Sequence, residues 1–195
     1  MSTTANARND RTAKAVTGKN TRFSYCSVWE PRSVNGGAPH YSVCLLVSKD
    51  DRETVKALYD AQRAAYEDGR ERLKNRNGSV PPLEAIKTAI RDGDAERPDD
   101  PAYANCIFVN ANSERKPDLY DAERKEITDP GEIYSGCYGR ASVVFFAFNT
   151  NGNRGIACGL NGLQKIRDGE ALGGRGSTLA DFEEADGEDG EDFLK

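Results

Sequence analysis

The stretch from residue 132 to residue 166 limits the fold most: EIYSGCYGRASVVFFAFNTNGNRGIACGLNGLQKI. Residues 142–148 (SVVFFAF) are the most concentrated β-prone run in the chain, because β-branched and aromatic side chains suit a pleated, half-buried surface. NTNGN follows at 149–153, and Asn151-Gly152 is a strong hairpin-turn signal. Residues 154–162 (RGIACGLNG) read as the return strand, with glycines at 155, 159 and 162 suited to bends, bulges or a closely approaching backbone. Upstream, 132–138 (EIYSGCY) reads as a further strand, or as the first half of one that bends at Gly139. The expected product is a tightly curved antiparallel meander, as a small barrel needs. Phe145, Phe146 and Phe148 are assigned mostly to its core.

The rest of the chain adds strands and one long helix. Residues 21–29 (TRFSYCSVW) read as a strand ended by Pro31, with Phe23, Tyr25, Ser27 and Trp29 on one face. Residues 41–48 (YSVCLLVS) are apolar enough to be buried on both faces, and the two strands read as a hairpin with a long loop. Ser48 is the expected N-cap of a helix over 50–75, whose stripe is Val55, Leu58, Tyr59, Gln62, Ala65, Tyr66, Gly69 and Leu73. The other faces are charged, which describes a solvated helix lying on the barrel; the alternative is a helix that binds a partner or forms a homodimer. Gly78 and Pro81-Pro82 break the pattern, 83–90 is expected to add a short helix, and 91–101 (RDGDAERPDDP) is a polar loop. Residues 104–110 (ANCIFVN) read as a third strand and 113–117 (SERKP) as a basic loop. Strands, a helical insertion, then more strands describe an α+β, mainly β, small barrel.

A chain of 195 residues holds one domain with a real core, plus tails. Residues 1–20 are polar and basic and read as a disordered arm; 21–170 form the folded domain; 171–195 read as a flexible glycine-rich linker and a disordered acidic tail. The net charge of −5 conceals a split: 181–195 (DFEEADGEDGEDFLK) carries −7, and taking that from −5 leaves +2 for the remainder. Residues 1–32 carry +4. Such asymmetry suggests nucleic acid as the partner of one part, and a competing or partner-binding tail in the other. No apolar run is long enough to span a bilayer, and the start of the chain lacks the apolar core of a secretory signal. Five scattered cysteines, odd in number and without a C-x-x-C, describe reduced and mostly buried thiols in a cytosolic protein.

Catalytic constellations are missing. His40 is the single histidine, and no G-x-S-x-G accompanies it. The glycine-rich 169–177 lacks the G-K-[ST] ending of a phosphate loop. Asp92-Gly93-Asp94 and Asp99-Asp100 lack the spacing of a calcium loop. No cofactor, metal or enzymatic activity is expected; a metal-dependent nuclease and a non-enzymatic virion or protein-interaction module are the weaker alternatives. Binding chemistry is better represented. Nonspecific recognition of single strands needs cations along a groove for phosphates and aromatic faces for bases. Arg22, Arg115, Lys116, Arg140, Arg154 and Lys165 are the candidate phosphate contacts, and Tyr25, Trp29, Tyr134 and Tyr138 the candidate stacking rings. The tail interrupts its acids with Phe182, Phe193 and Leu194. Asp181, Phe182, Asp192 and Phe193 are its candidate docking residues, on an anionic mimic that folds back on a basic groove and is displaced by DNA.

The runs TRFSYCSVWEP, YSVCLLVSKDD, AIRDGD, NSERKPDLYD and DPGEIYSGCYGRASVVFFAFNTNGNRGIACGLNGLQKIRDGE, with the closing DFEE, resemble a family of bacteriophage single-stranded-DNA-binding proteins. The resemblance covers 21–184, and GCYGRAS and GLNGLQKIRDGE are its most specific pieces. It implies an OB-fold barrel and a role in phage DNA replication, recombination or repair inside the bacterial host cytoplasm. It also implies phage or host replication and recombination proteins as partners of the acidic tail. Two departures stand out. Leu194 and Lys195 follow Phe193, where many bacterial and phage single-strand-binding proteins of similar layout end on the aromatic residue. The long helix falls between the second and third strands, as an insertion relative to a minimal OB-fold.

Overall fold

The structure, a computed structural model, describes residues 13–173. The run 142–148 lies inside strand β7 (Tyr138–Thr150), which turns back into β8 (Asn153–Arg167). Thr150 pairs with Asn153, so Asn151 and Gly152 alone make the turn. Their φ angles of 52° and 83° are those of a type I′ turn, which matches the right-handed strand twist.

Four more strands complete a barrel with this hairpin or extend it early in the chain: β1 (Lys14–Val16), β2 (Thr21–Arg32), β3 (His40–Ser48) and β5 (Cys106–Ser113). β2 pairs antiparallel with both β7 and β3, and β3 pairs antiparallel with β5. β5 then pairs in parallel with β8 through Ala111–Cys158 and Asn112–Gly159, closing the ring β7–β2–β3–β5–β8. The expected meander lacks this parallel pairing; the closure comes from a crossover. Three short strands extend the ring: β1 on β7, β4 (Ile90–Asp92) on β5, and β6 (Asp118–Tyr120) in parallel on β8. Inside sit Phe23, Val28, Val43, Leu45, Val109, Val143, Phe145 and Leu163, each essentially inaccessible.

Helix α1 (Arg52–Asp68) plugs the barrel, burying Leu58, Ala61, Gln62, Ala65 and Tyr66. Gln62 is tolerated in the core because its side-chain oxygen accepts the Ile90 N–H at 3.2 Å. The N-cap is Asp51, three residues beyond the expected Ser48; its carboxylate accepts the Thr54 N–H at 3.1 Å. The Thr54 hydroxyl in turn accepts the Gly18 N–H at 2.8 Å, fixing the β1–β2 turn. Gly69 ends α1 early, and α2 (Arg70–Leu73) completes the helical stretch. Tyr59, expected on the buried stripe, is 47 % exposed, and Ala61 takes the inward position.

Other local expectations change. Residues 14–16 form a strand although the first 20 residues read as disordered: Ala13, Ala15 and Thr17 are too small to signal burial in sequence, yet all three are buried against β7. Residues 132–137 are turns rather than strand. Strand β2 runs through Pro31 to Arg32 and is bulged. Between the pairs Ser24–Cys44 and Ser27–Ser42 it spends one extra residue, so its alternation switches faces and Phe23 and Val28 both point inward. In place of a short helix, 83–90 holds a 3₁₀ turn (Leu83–Ala85) and the start of β4. All five cysteines are free, and burial pushes the Cys158 thiol up to about 12.

Asp92 and Asp94 engage a lysine. Lys49 Nζ lies 2.8 Å from Asp92 and 2.6 Å from Asp94, holding the 93–105 loop against the β3–α1 junction. Its hydrogen bonds hold both carboxyls below the ordinary carboxylate range. A carboxyl lowered in the folded state stabilises the fold above its unfolded pKa of about 4, and that contribution is lost as pH falls through the lowered value. The double variant Asp92→Asn/Asp94→Asn should therefore lose less stability than the parent between about pH 5 and pH 2, read by urea melts at each pH.

Candidate nucleic-acid interface

The barrel wall has two faces, and the outer one carries the polar chemistry. Cys44, Leu46 and Phe108 belong to a small outer cluster with Tyr103, separate from the central core that holds Val43, Leu45, Val47, Val109 and Ala111. Strand alternation then puts Ser42, Asn110 and Asn112 on the outside as well. Pairing registers turn these residues into rows that cross the strands.

One row reads Arg91–Phe108–Leu46–Arg22–Tyr138–Arg167 across β4, β5, β3, β2, β7 and β8. It alternates cations with apolar and aromatic groups. The Arg91 guanidinium lies 4.9 Å from the Phe108 ring centre. Tyr138 is held between Arg22 at 5.3 Å and Arg167 at 3.7 Å. Arg97 lies 5.6 Å from the Tyr103 ring, which meets Phe108 edge-on. Arg91 is paired with Glu96, whereas Arg22, Arg97 and Arg167 make no ion pair among the described residues.

A second row reads Ser27–Ser42–Asn112–Gly159 across β2, β3, β5 and β8. Ser24, Cys44 and Asn110 lie between the two rows. Small polar residues make a low floor beside a cationic, aromatic bank. Tyr25 stands up from this floor at the β2 bulge, with φ 46° and 64 % of its surface exposed. A backbone in the left-handed region is costly for a tyrosine, and here it turns the ring out of the sheet. The loop between β2 and β3 closes the other side, where Pro39, His40, Asn112 and Phe146 line a hollow of about 440 Å³.

The chain leaves β8 across the same face. Arg22 donates to the Gly136 and Glu170 carbonyls at 3.3 and 2.7 Å, and the Leu172 N–H donates to the Ser135 carbonyl at 2.8 Å. Leu172 packs on the Cys44–Leu46–Tyr103–Phe108 cluster.

The ten residues selected from sequence separate into groups. Arg22, Tyr25 and Tyr138 belong to the face just described. Trp29 is half-buried; its indole N–H donates to the Ile133 carbonyl at 3.2 Å and Lys116 lies 4.9 Å from its ring centre. Lys116 and Arg115 are exposed in the loop after β5. Tyr134 packs against the core, with its hydroxyl accepting the Gly169 N–H at 3.1 Å. Lys165 is enclosed by Glu132 at 2.9 Å and Asp168 at 2.8 Å; burial opposes its charge, but these two carboxylates raise its pKa above the ordinary lysine value. Arg140 is exposed on the β7–β8 hairpin, beyond the start of β2. Arg154 points to the helical region, donating to the Leu73 carbonyl at 3.5 Å and to the Asn75 side chain. Asp181, Phe182, Asp192 and Phe193 lie outside the described residues.

Sequence reading passed over Arg91, Arg97, Phe108, Asn110, Asn112 and Arg167, and assigned Phe146 mostly to the core, whereas strand alternation turns it outward and leaves it 45 % exposed. Asn110 and Asn112 repeat at the strand period with Phe108, a signal visible in IFVNANS. Arg91 and Arg97 sat in a stretch that reads only as polar loop.

A five-stranded barrel whose first strand pairs with the second and fourth, and whose third runs parallel to the fifth, is an OB-fold, the class whose second and third strands bind oligonucleotides and oligosaccharides. The family profile of the Enterobacter phage Enc34 ssDNA-binding protein matches residues 13–194, and the chain belongs to that family, whose members are not enzymes. Protein p50 of Acyrthosiphon pisum secondary endosymbiont phage 1 is 29 % identical over 171 residues, covering 86 % of this chain and 90 % of that protein. The single-stranded DNA-binding protein of bacteriophage Enc34, solved in complex with ssDNA, superposes with a TM-score of 0.69 at 25 % identity over 84 % of this chain and 91 % of its own. The fold also matches gp2.5, a single-stranded DNA binding protein of bacteriophage T7, with a TM-score of 0.57 at 13 % identity over 83 % of this chain and 98 % of that one.

Arg154 supplies a test of its structural role. Arg154→Ala removes the donor that satisfies the Leu73 carbonyl and Asn75, and should cost roughly 1–3 kcal/mol in a urea melt.

Proposed function

We propose that this chain binds single-stranded DNA without sequence preference, by neutralising phosphates and stacking bases. The observation that supports this most is the outer row in which Arg22, Tyr138 and Arg167 stand beside a low floor of serines and asparagines. A backbone that is negative at every phosphate fits such a bank, and small floor residues let it approach the sheet. Arg97, Arg115 and Lys116 extend the positive charge, and Tyr25 offers an exposed ring for a base. Trp29 and Tyr134 shape the border, while Arg154 and Lys165 hold other parts of the fold in place. Membership in a family of phage ssDNA-binding proteins supports the same reading. The protein then serves phage DNA replication, recombination or repair in the cytoplasm of the host cell.

A fluorescence titration of Trp29 with oligo-dT at two salt concentrations tests this. Affinity should fall by about 0.7 log units per log unit of salt for each phosphate neutralised. Tyr25→Ala should weaken binding by about 1–3 kcal/mol, the contribution of one stacked base. Equal affinity for duplex and for oligo-dT, or binding insensitive to salt, would overturn the proposal.

We also propose that the acidic segment 181–195, with its charge of −7, competes with DNA for this face and carries Phe182 and Phe193 to replication or recombination proteins. The seat of Leu172 on the outer cluster supports this, because it places the last described residues on the face itself. Deleting 181–195 should raise affinity for oligo-dT; unchanged or lower affinity would refute the competition.

A further inference from the structure

The row of small residues does not stop at the edge of the β3–β5 face. Asn112 pairs with Gly159, Gly159 with Val144, and Val144 with Lys14, so the low belt continues from β5 over β8 and β7 to β1. At Gly159 a Cβ would lie 3.1 Å from the Val144 side chain and 3.6 Å from the Phe146 ring, and the missing side chain leaves Phe146 standing above the belt. Phe146 is 45 % exposed, unusual for a phenylalanine in the middle of a barrel strand. It already borders the hollow on the β5 side.

From Phe146 the outer side of the hairpin runs along β7 through Val144 and Ser142 to Arg140. Ser142 pairs with Gly162, and Arg140 pairs with Gln164, which pairs with Tyr120 of β6. A second hollow of about 310 Å³ lies here, lined by Lys14, Tyr120, Arg140, Ser142 and Asn161. Asp118 is the one carboxylate among its lining residues. Tyr120 is 39 % exposed, and neither Lys14 nor Arg140 makes an ion pair among the described residues. Six residue steps at the strand rise put Phe146 and Arg140 about 20 Å apart. The surface between is a shallow trough with a ring at each end, two unpaired cations and a floor of glycine and serine.

We propose that this trough is a second binding segment for single-stranded nucleic acid, which continues the path from the β3–β5 face around the barrel to the space between Arg140 and Tyr120. Lys14 and Arg140 would neutralise two phosphates, and Phe146 and Tyr120 would each stack a base. The inference rests on the proposed ssDNA binding, and commits to the same strand continuing rather than to a separate ligand.

The test compares the full chain with the Lys14→Gln/Arg140→Gln variant and with Tyr120→Ala, on oligo-dT of about 4 and about 16 nucleotides, the two ends of the range for one OB barrel. Thermal melts confirm that each variant is folded. On the long oligonucleotide, the double variant should lower the salt slope by about 1.4, two phosphates at about 0.7 each. Tyr120→Ala should weaken the long oligonucleotide about fivefold or more. The short oligonucleotide should bind all three proteins alike. If the long oligonucleotide binds the variants with unchanged affinity and slope, the second segment is overturned while ssDNA binding stands. If both lengths weaken equally, these residues belong to the primary face and the extension is overturned. If the parent protein binds neither length, the proposed function itself fails.

Discussion

β8 is paired on both sides, antiparallel to β7 along its length and parallel to β5 at Cys158 and Gly159, and that double use closes the sheet. Without the two parallel rungs the hairpin would be the end of an open sheet, joined to β3 and β5 only the long way round, through β2. With them, the outward-facing Asn112 of β5 gains Gly159 of β8 as its neighbour. The small-residue belt depends on that closure, whereas the arginine–aromatic row runs the other way round the ring, through β2. The core follows from the same constraint, since Ala111, Cys158, Val143 and Phe145 face inward only if the ring is complete.

Much of the charge that looks available for a ligand is already engaged. Lys165 is enclosed by two carboxylates, Arg154 secures the end of the helical insertion, and Lys49 holds the loop after β4. Partnered cations offer little to a phosphate, because a new contact must first break an old one. Arg22, Arg97 and Arg167 differ: they lean on rings and carbonyls, which leave their charge uncompensated. Cation–π contact with Tyr138 also stiffens Arg22 and Arg167, reducing the side-chain entropy that a bound strand would otherwise remove.

The hairpin, its turn, the apolar second strand and the long helix were legible because each is a local property. Asn151-Gly152 fixes a turn by its own backbone preferences, and SVVFFAF is β-prone wherever it lies. Strand β1 was not legible, since Ala13, Ala15 and Thr17 carry no pattern of their own and the strand's pairing partner, β7, is distant in sequence. The faces of β2 were misassigned for a related reason. A bulge at Tyr25 shifts the alternation by one, and nothing in TRFSYCSVW marks it; it becomes visible only in the register against β3. Of the ten candidate contacts, Arg22, Tyr25 and Tyr138 lie together because their strands are neighbours, while Arg154 is engaged by Leu73 and Asn75, and Lys165 by the distant Glu132 and the nearby Asp168.

By itself the sequence determined a small mainly-β barrel with a helical insertion, a basic start, an acidic end and no catalytic constellation. Those properties depend on composition, turn chemistry and periodicity, all of them local or additive along the chain. Tertiary structure decided which cations are unpaired, which rings stand clear of the core, and how they line up from one strand to the next. Pairing partners and burial are set by residues distant in sequence, and a register shift of one residue exchanges the inside of a strand for its outside.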